Sequence, residues 1–339
     1  MVYIRDDRAD VSASLELRNP GNRTLRVDGL SAVYFAAGLP LRTDRFDPSF
    51  FGPTGVGREH KIRGGASAEW TGICLDRVPP EADRVRLAFD LSVRVGLTRH
   101  RSEQPFDLEL RPAPPPVVLR VPFDGYWLVT QGHSCRTNHR SGGFGSDYAW
   151  DFVHFSPTGR IVKEGYETSR RNEDSYSFGL SVLAPADGTL IRVVGDVQDN
   201  EGLKDYPRRA LLEELERPDW IFGNFVVIEL SVGVYVLMAH LERGSVSLKP
   251  GDRVHAGDPI ARCGNSGNTV WPHLHVQVMD RSDPTDSSVH GLPAAFANYR
   301  EITYTGDSTH KDILARDISG GDPPEGSIVV AVTPDETRP

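Results

Sequence analysis

Trp271-Pro272-His273-Leu274-His275-Val276-Gln277-Val278 is the stretch from which the fold is read. Apolar and polar residues alternate from Leu274 to Val278, as on a strand with one face in a core. Residues two apart on a strand share a face. His273 and His275 therefore aim both imidazoles at one place, while Leu274, Val276 and Val278 face the opposite layer. Two convergent imidazoles suit a zinc ion, which favours nitrogen ligands in tetrahedral geometry. With 11 histidines in 339 residues, chance alone supplies such a pair about one time in three. The pair is a lead until further ligands join it.

The same short-period alternation recurs along the chain. The 33 glycines and 25 prolines supply turns, and long helical periodicity is nearly absent. The fold class read from this is all-β. The first segment reads as an immunoglobulin-like β-sandwich. Val11, Ala13, Leu15 and Leu17 alternate with polar residues, and Asn19-Pro20-Gly21-Asn22 signals a turn. The clearest strand runs through Val85, Leu87, Phe89, Leu91, Val93 and Val95, while His60 and His100 read as solvated surface residues. Pro112-Ala113-Pro114-Pro115-Pro116 then breaks the pattern, and a proline run favours an extended spacer. The domains expected are a β-sandwich accessory domain at 1–111, a Pro-rich linker at 112–117, a second domain at 118–300 and a partly flexible C-terminal extension at 301–339.

In the second domain, strands are expected at 127–129, 148–154, 180–183, 189–194, 225–230, 234–241 and 273–279. Turns are expected at Pro185-Ala186-Asp187-Gly188 and Lys249-Pro250-Gly251-Asp252. The second has Pro and Gly at the two central positions of a type II turn. Residues 155–178 read as a charged insertion, 204–217 as a short helix, and Ile328-Val329-Val330-Ala331-Val332 as a final strand. The net charge of −9 argues against a nucleic-acid groove or an anionic membrane surface as partner. No apolar run is long enough to span a bilayer, and Met1-Val2-Tyr3-Ile4-Arg5-Asp6-Asp7 lacks the apolar core of a signal peptide. Cys74, Cys135 and Cys263 form no metal-type pair and read as ordinary buried thiols.

Further groups compatible with zinc lie in three other segments. Asn138-His139 sits in a Gly- and Ser-rich stretch, Asp151 in Tyr148-Ala149-Trp150-Asp151-Phe152-Val153, and His240 closes Val234-Tyr235-Val236-Leu237-Met238-Ala239. A carboxylate or imidazole embedded in an apolar strand is costly unless paired or metal-bound, so Asp151 and His240 are the residues least easily explained as structural.

At this point the chain resembles a family. His139, Asp151-Phe152, Ala184-Pro185-Ala186-Asp187-Gly188-Thr189, Ala239-His240-Leu241, Leu248-Lys249-Pro250-Gly251-Asp252-Arg253-Val254, Gly257-Asp258, Cys263-Gly264-Asn265-Ser266-Gly267-Asn268 and Pro272-His273-Leu274-His275 follow one another in order. Together they are similar to the core signature of the lysostaphin-type zinc endopeptidases, metallopeptidase family twenty-three. The resemblance covers about residues 125 to 280. It implies packed antiparallel sheets of the duplicated-hybrid-motif type, with a groove holding one zinc ion. His139, Asp151 and His275 are the implied ligands, and His240 and His273 the implied catalytic histidines. The family commonly places its first His and Asp closer together than here, where eleven residues intervene. Asp147 competes with Asp151 as the carboxylate, and His133 and Cys135 with His139. The implied substrate is peptidoglycan peptide, which points to the cell envelope or beyond. Two other readings use the same motifs. A catalytically inactive relative would act as a scaffold or hydrolase activator. A biotinyl- or lipoyl-like carrier would need a modifiable Lys on an exposed hairpin, and no such tip is found.

Overall fold

The computed structural model describes residues 3–4, 9–47, 60–112, 114–132, 139, 143–156, 158–166, 170–202, 219–306 and 311–332. Strands dominate them, with short 3-10 turns at Asn172–Asp174 and Trp220–Phe222. Two compact units result, Met1–Pro114 with Ser134–Ser141, and Pro115–His133 with Gly142–Pro339. The division at Pro114 falls inside the expected proline spacer.

In the first unit one sheet runs Ser67–Val78, Ala9–Arg18, Tyr3–Ile4, Arg111–Pro112. The other runs Leu39–Phe46, Leu25–Ala36, Arg84–Val95, Thr98–Glu109. Leu17, Ala68 and Leu75 from the first sheet and Leu30, Leu87 and Phe89 from the second share one core, so the sheets are the two layers of a sandwich. The alternation seen in the sequence is the cause: Val85, Leu87, Phe89 and Leu91 are buried, whereas Asp90 between them is exposed. At the expected Asn19 turn, Asn19 Nδ2 donates to the carbonyls of Arg23 (2.8 Å) and Ile62 (3.0 Å), closing the loop with its own side chain.

The second unit is built on a ten-stranded sheet. Its order is Arg253–Val254, Gly188–Val194, Asn224–Ser231, Val234–Leu241, Leu274–Met279, Trp150–His154, Tyr126–Gln131, Ile328–Ala331, Tyr299–Gly306, Lys311–Ile318. Every neighbouring pair in it is antiparallel. Val117–Arg120 and Ala294–Ala297 form a separate parallel pair. The central strands are apolar on both faces because both are covered. Leu274, Val276 and Val278 join Phe152, Val236 and Met238 in the larger core. On the other face Leu237, Ala239 and Met279 pack with Phe222, Phe225 and Val227. The Lys249–Asp252 turn forms as read: Gly251 has φ 97° and the Asp252 amide donates to the Lys249 carbonyl at 3.1 Å.

One boundary differs. Residue 300 falls inside the Tyr299–Gly306 strand, which is hydrogen-bonded to Ile328–Ala331 in the same sheet. The sheet therefore continues through the region expected as an extension. Charges hid this from the sequence: Arg300–Asp317 (2.7 Å) and Arg316–Glu301 (3.1 Å) pair across the edge hairpin, where an apolar alternation would otherwise have marked the strands. The helix expected at 204–217, His133, Cys135 and residues 333–339 lie outside the described residues. Among the described residues no helix is long and apolar enough to cross a membrane.

Candidate active site

Val234–Leu241, Leu274–Met279 and Trp150–His154 lie side by side in the sheet. The register sets His275 opposite Asp151 on one side and opposite Ala239 on the other. His275 Nδ1 is 2.8 Å from Asp151 Oδ1. His273, just before the strand, brings Nε2 to 3.5 Å from the same oxygen. The His240 ring centroid is 4.6 Å from that of His273 and 5.8 Å from that of His275. His139, Asp151 and His275 each offer one ligand atom, and these atoms lie within 4.8 Å of one another. The competing carboxylate is engaged elsewhere: Asp147 Oδ2 accepts the Gly291 amide at 3.0 Å.

His240 reaches the site because its strand is irregular. Asn224 pairs with Leu241 and Val226 with Met238, so Ala239 and His240 together oppose the single residue Phe225. Such a bulge re-aims a side chain. Ala239 packs in the smaller cluster, His240 joins the site, and Leu241 returns to the larger core. His240 takes φ 60° to do so. The Cys263–Asn268 motif holds this turn in place. Gly264 donates its amide to the His240 carbonyl (3.0 Å), Ser266 Oγ donates to the Leu241 carbonyl (2.8 Å), and the Ser266 carbonyl accepts from His240 Nδ1 (2.8 Å). Gly267 (φ 82°) lies so close to the backbone of Gly223 that a Cβ would not fit between them.

These bonds fix protons as well as positions. His240 Nδ1 faces only a carbonyl oxygen at that bond, so it carries the hydrogen and Nε2 is left bare. His273 Nδ1 donates in the same way to the Trp271 carbonyl at 2.7 Å, beside Thr269 Oγ1 at 3.1 Å. Burial, and then the neighbouring His273 and His275, hold the His240 imidazole well below its usual range. It is therefore neutral at pH 7. Cys263 is a buried free thiol whose burial pushes its pKa up, the opposite of a nucleophile.

Residues 175–287 match the profile of Peptidase family M23. The chain carries an M23 peptidase domain. The match takes in His240, His273 and His275, with Asp151 and His139 upstream of it. The chain is similar to two curated proteins of Vibrio cholerae serotype O1. The peptidoglycan DD-endopeptidase ShyB is 36% identical over 73 residues, which is 22% of this chain and 17% of that protein. The peptidoglycan DD-endopeptidase ShyA is 32% identical over 73 residues, 22% of this chain and 16% of that one. The match thus spans less than a fifth of either relative. Among solved structures, the catalytic domain of lysostaphin from Staphylococcus simulans overlays at 16% identity with a TM-score of 0.28, covering 50% of this chain and 88% of that one.

The residues around the M23 site fit a zinc ion. Two imidazoles and a carboxylate are the nitrogen and oxygen donors that zinc takes. Asp151 is 6% exposed and faces the imidazoles of His273 and His275. A carboxylate so enclosed is costly unless a cation or a proton answers its charge. One residue of the site escaped the reading of the sequence. Gln277 is fully buried, and its Oε1 lies 2.9 Å from His275 Nε2. The signal was present, since Gln277 follows His275 by two on one strand and shares its face. Beside the M23 motifs, Asn172 of the charged insertion accepts from Asn265 Nδ2 at 2.8 Å. Arg170, Arg171, Asn172, Glu173, Phe178 and Asn200 line a cleft of about 460 Å³. Asn200 also donates to the carbonyls of Gly267 (3.1 Å) and Thr269 (3.0 Å), in the loop that carries the acceptor for His240.

Proposed function

We propose that the protein is a zinc-dependent endopeptidase hydrolysing peptide bonds of peptidoglycan, in cross-bridges or stem peptides. The observation that carries this reading is the convergence of Asp151, His240, His273 and His275 from adjacent segments of one sheet, with two imidazoles tied through Nδ1 to backbone carbonyls. The proposed ligands are His139, Asp151 and His275, a set of three that leaves a fourth position for water, as in catalytic zinc sites. Zinc, when bound there, supplies a Lewis acid and a water whose pKa falls to about 7. His240 and His273 are the proposed catalytic histidines. Each is held through Nδ1, and His273 Nε2 lies 3.5 Å from Asp151 Oδ1. One accepts the proton of the attacking water, and the other, once protonated, donates to the developing oxyanion or the leaving amine.

The substrate is inferred from the relatives, whose names are those of peptidoglycan DD-endopeptidases. Such a substrate would place the protein at the cell envelope or outside the cell. The walls proposed to select the peptide are the charged insertion and the Gln198–Gly202 segment, which border the cleft. The test is release of soluble fragments from purified peptidoglycan after chelation and after zinc is restored. Loss on chelation and recovery with zinc support the proposal. A protein that binds zinc and peptidoglycan yet frees no soluble fragment is an inactive scaffold, and that outcome would overturn the enzymatic reading.

A further inference from the structure

Gln277 lies in the sheet with its side chain fully buried between two fixed partners. Its Nε2 donates to the Phe144 carbonyl at 2.8 Å, with Met279 Sδ 3.5 Å away, and its Oε1 lies 2.9 Å from His275 Nε2. The two ends of a glutamine amide differ chemically, and the Phe144 carbonyl decides between them. A carbonyl accepts only, so the amide nitrogen must face it and the oxygen must face His275. The carbonyl is itself held in place. Gly143, Phe144 and Gly145 all have positive φ (70°, 60° and 71°), and Ser146 donates through its amide (3.1 Å) and Oγ (2.7 Å) to the Gly143 carbonyl. A non-glycine residue in that region costs on the order of 1–3 kcal/mol and persists only where surroundings over-determine it.

We propose that Gln277 is a positioning residue that keeps the proton of His275 on Nε2 and reserves Nδ1, the nitrogen beside Asp151 Oδ1, for a metal ion. The inference rests on the reading of His275 as a zinc ligand given under Proposed function. With Nε2 facing an oxygen that cannot donate, a bare Nε2 would set two lone pairs against each other at 2.9 Å. Nε2 therefore carries hydrogen whether or not Nδ1 does. His240 and His273 do the reverse, with Nδ1 bound to carbonyls. The nitrogen left for chemistry thus differs between the catalytic histidines and the ligand, and in His275 a buried amide makes the choice. Loss of such an outer partner typically lowers metal affinity 10- to 100-fold.

Two measurements on the full-length protein test this. In metal-free protein carrying 15N-histidine, long-range proton–nitrogen spectra report which nitrogen of each imidazole bears hydrogen, and His275→Ala identifies the signals. The expected result is a protonated Nε2 in His275; a neutral ring with hydrogen on Nδ1 alone would overturn the proposal. The second measurement is zinc affinity by competition with a chromophoric chelator. Gln277→Met keeps the volume and removes the acceptor, and should bind zinc about 10- to 100-fold more weakly with an unchanged circular dichroism spectrum. Gln277→Glu restores an acceptor and should keep hydrogen on Nε2. Wild-type affinity in a folded Gln277→Met variant would contradict the proposal. A wild-type protein that binds no zinc would instead sink the ligand assignment, and the tautomer spectrum would still decide what Gln277 does.

Discussion

His240 occupies a left-handed backbone position, φ 60°, that its neighbours stabilise through three hydrogen bonds. Such strain clusters where a side chain must point in one direction, and the direction here is toward His273 and Asp151. His240→Ala and His273→Ala should each lower the rate of fragment release from peptidoglycan by roughly 10²- to 10⁴-fold, the usual contribution of a positioned acid or base. Bound zinc should stay at the wild-type level in both. Asp151→Ala and His275→Ala should lose zinc and activity together. An equal loss of zinc in all four variants would remove the distinction between ligand and catalytic residue. Asp151, His240 and His275 drew attention in the sequence because titratable groups interrupt apolar strands there, whereas His139 lies in a Gly- and Ser-rich stretch and His273 just before its strand. Their tautomers were not, since the acceptors that fix His240 and His273 are the backbone carbonyls of Ser266 and Trp271. Backbone acceptors leave no mark on residue identity.

Strands were the most legible elements. Asn224–Ser231, Val234–Leu241 and Leu274–Met279 stand within a residue or two of the apolar runs that announced them. The bulge at Ala239–His240 was not legible, because a bulge changes register and not composition. The Gly-rich motif that supports it was visible only as a signature; its physical role is close approach. Gly267→Ala should therefore destabilise the protein by about 1–3 kcal/mol through a side chain at positive φ, measured as a lower denaturant midpoint. An unchanged midpoint would mean that the approach to Gly223 is not needed. On the neighbouring Trp150–His154 strand, burial holds the His154 imidazole below its usual value. Its ring packs against Trp127 at 5.3 Å. The unfolded chain then takes the proton more readily than the folded one. Stability from this residue is complete above its unfolded pKa of about 6.5 and falls as pH drops toward the folded value. His154→Gln should flatten the decline in melting temperature between about pH 7 and pH 5. An equally steep decline would exclude the histidine as its source.

Over the whole molecule, Asp151, His240, His273 and His275 lie in the unit built on the ten-stranded sheet, and the sandwich unit has its own core. A ligand that binds only the folded state stabilises it, by about 2.7 kcal/mol at a hundredfold excess over Kd. Zinc should therefore raise the melting temperature of the full chain with the logarithm of its concentration above Kd, and His275→Ala should remove that dependence. The sequence showed the all-β class. It did not show that the sheet continues past residue 300, because that hairpin pairs charges across its strands. The central claim is that the site, with zinc bound, cleaves peptidoglycan peptide, and the most direct test is release of soluble peptidoglycan fragments from purified peptidoglycan by chelated protein, before and after one equivalent of zinc, beside His275→Ala. No release is expected until zinc is added, and none from His275→Ala. Undiminished release from fully metal-free wild-type protein would contradict it.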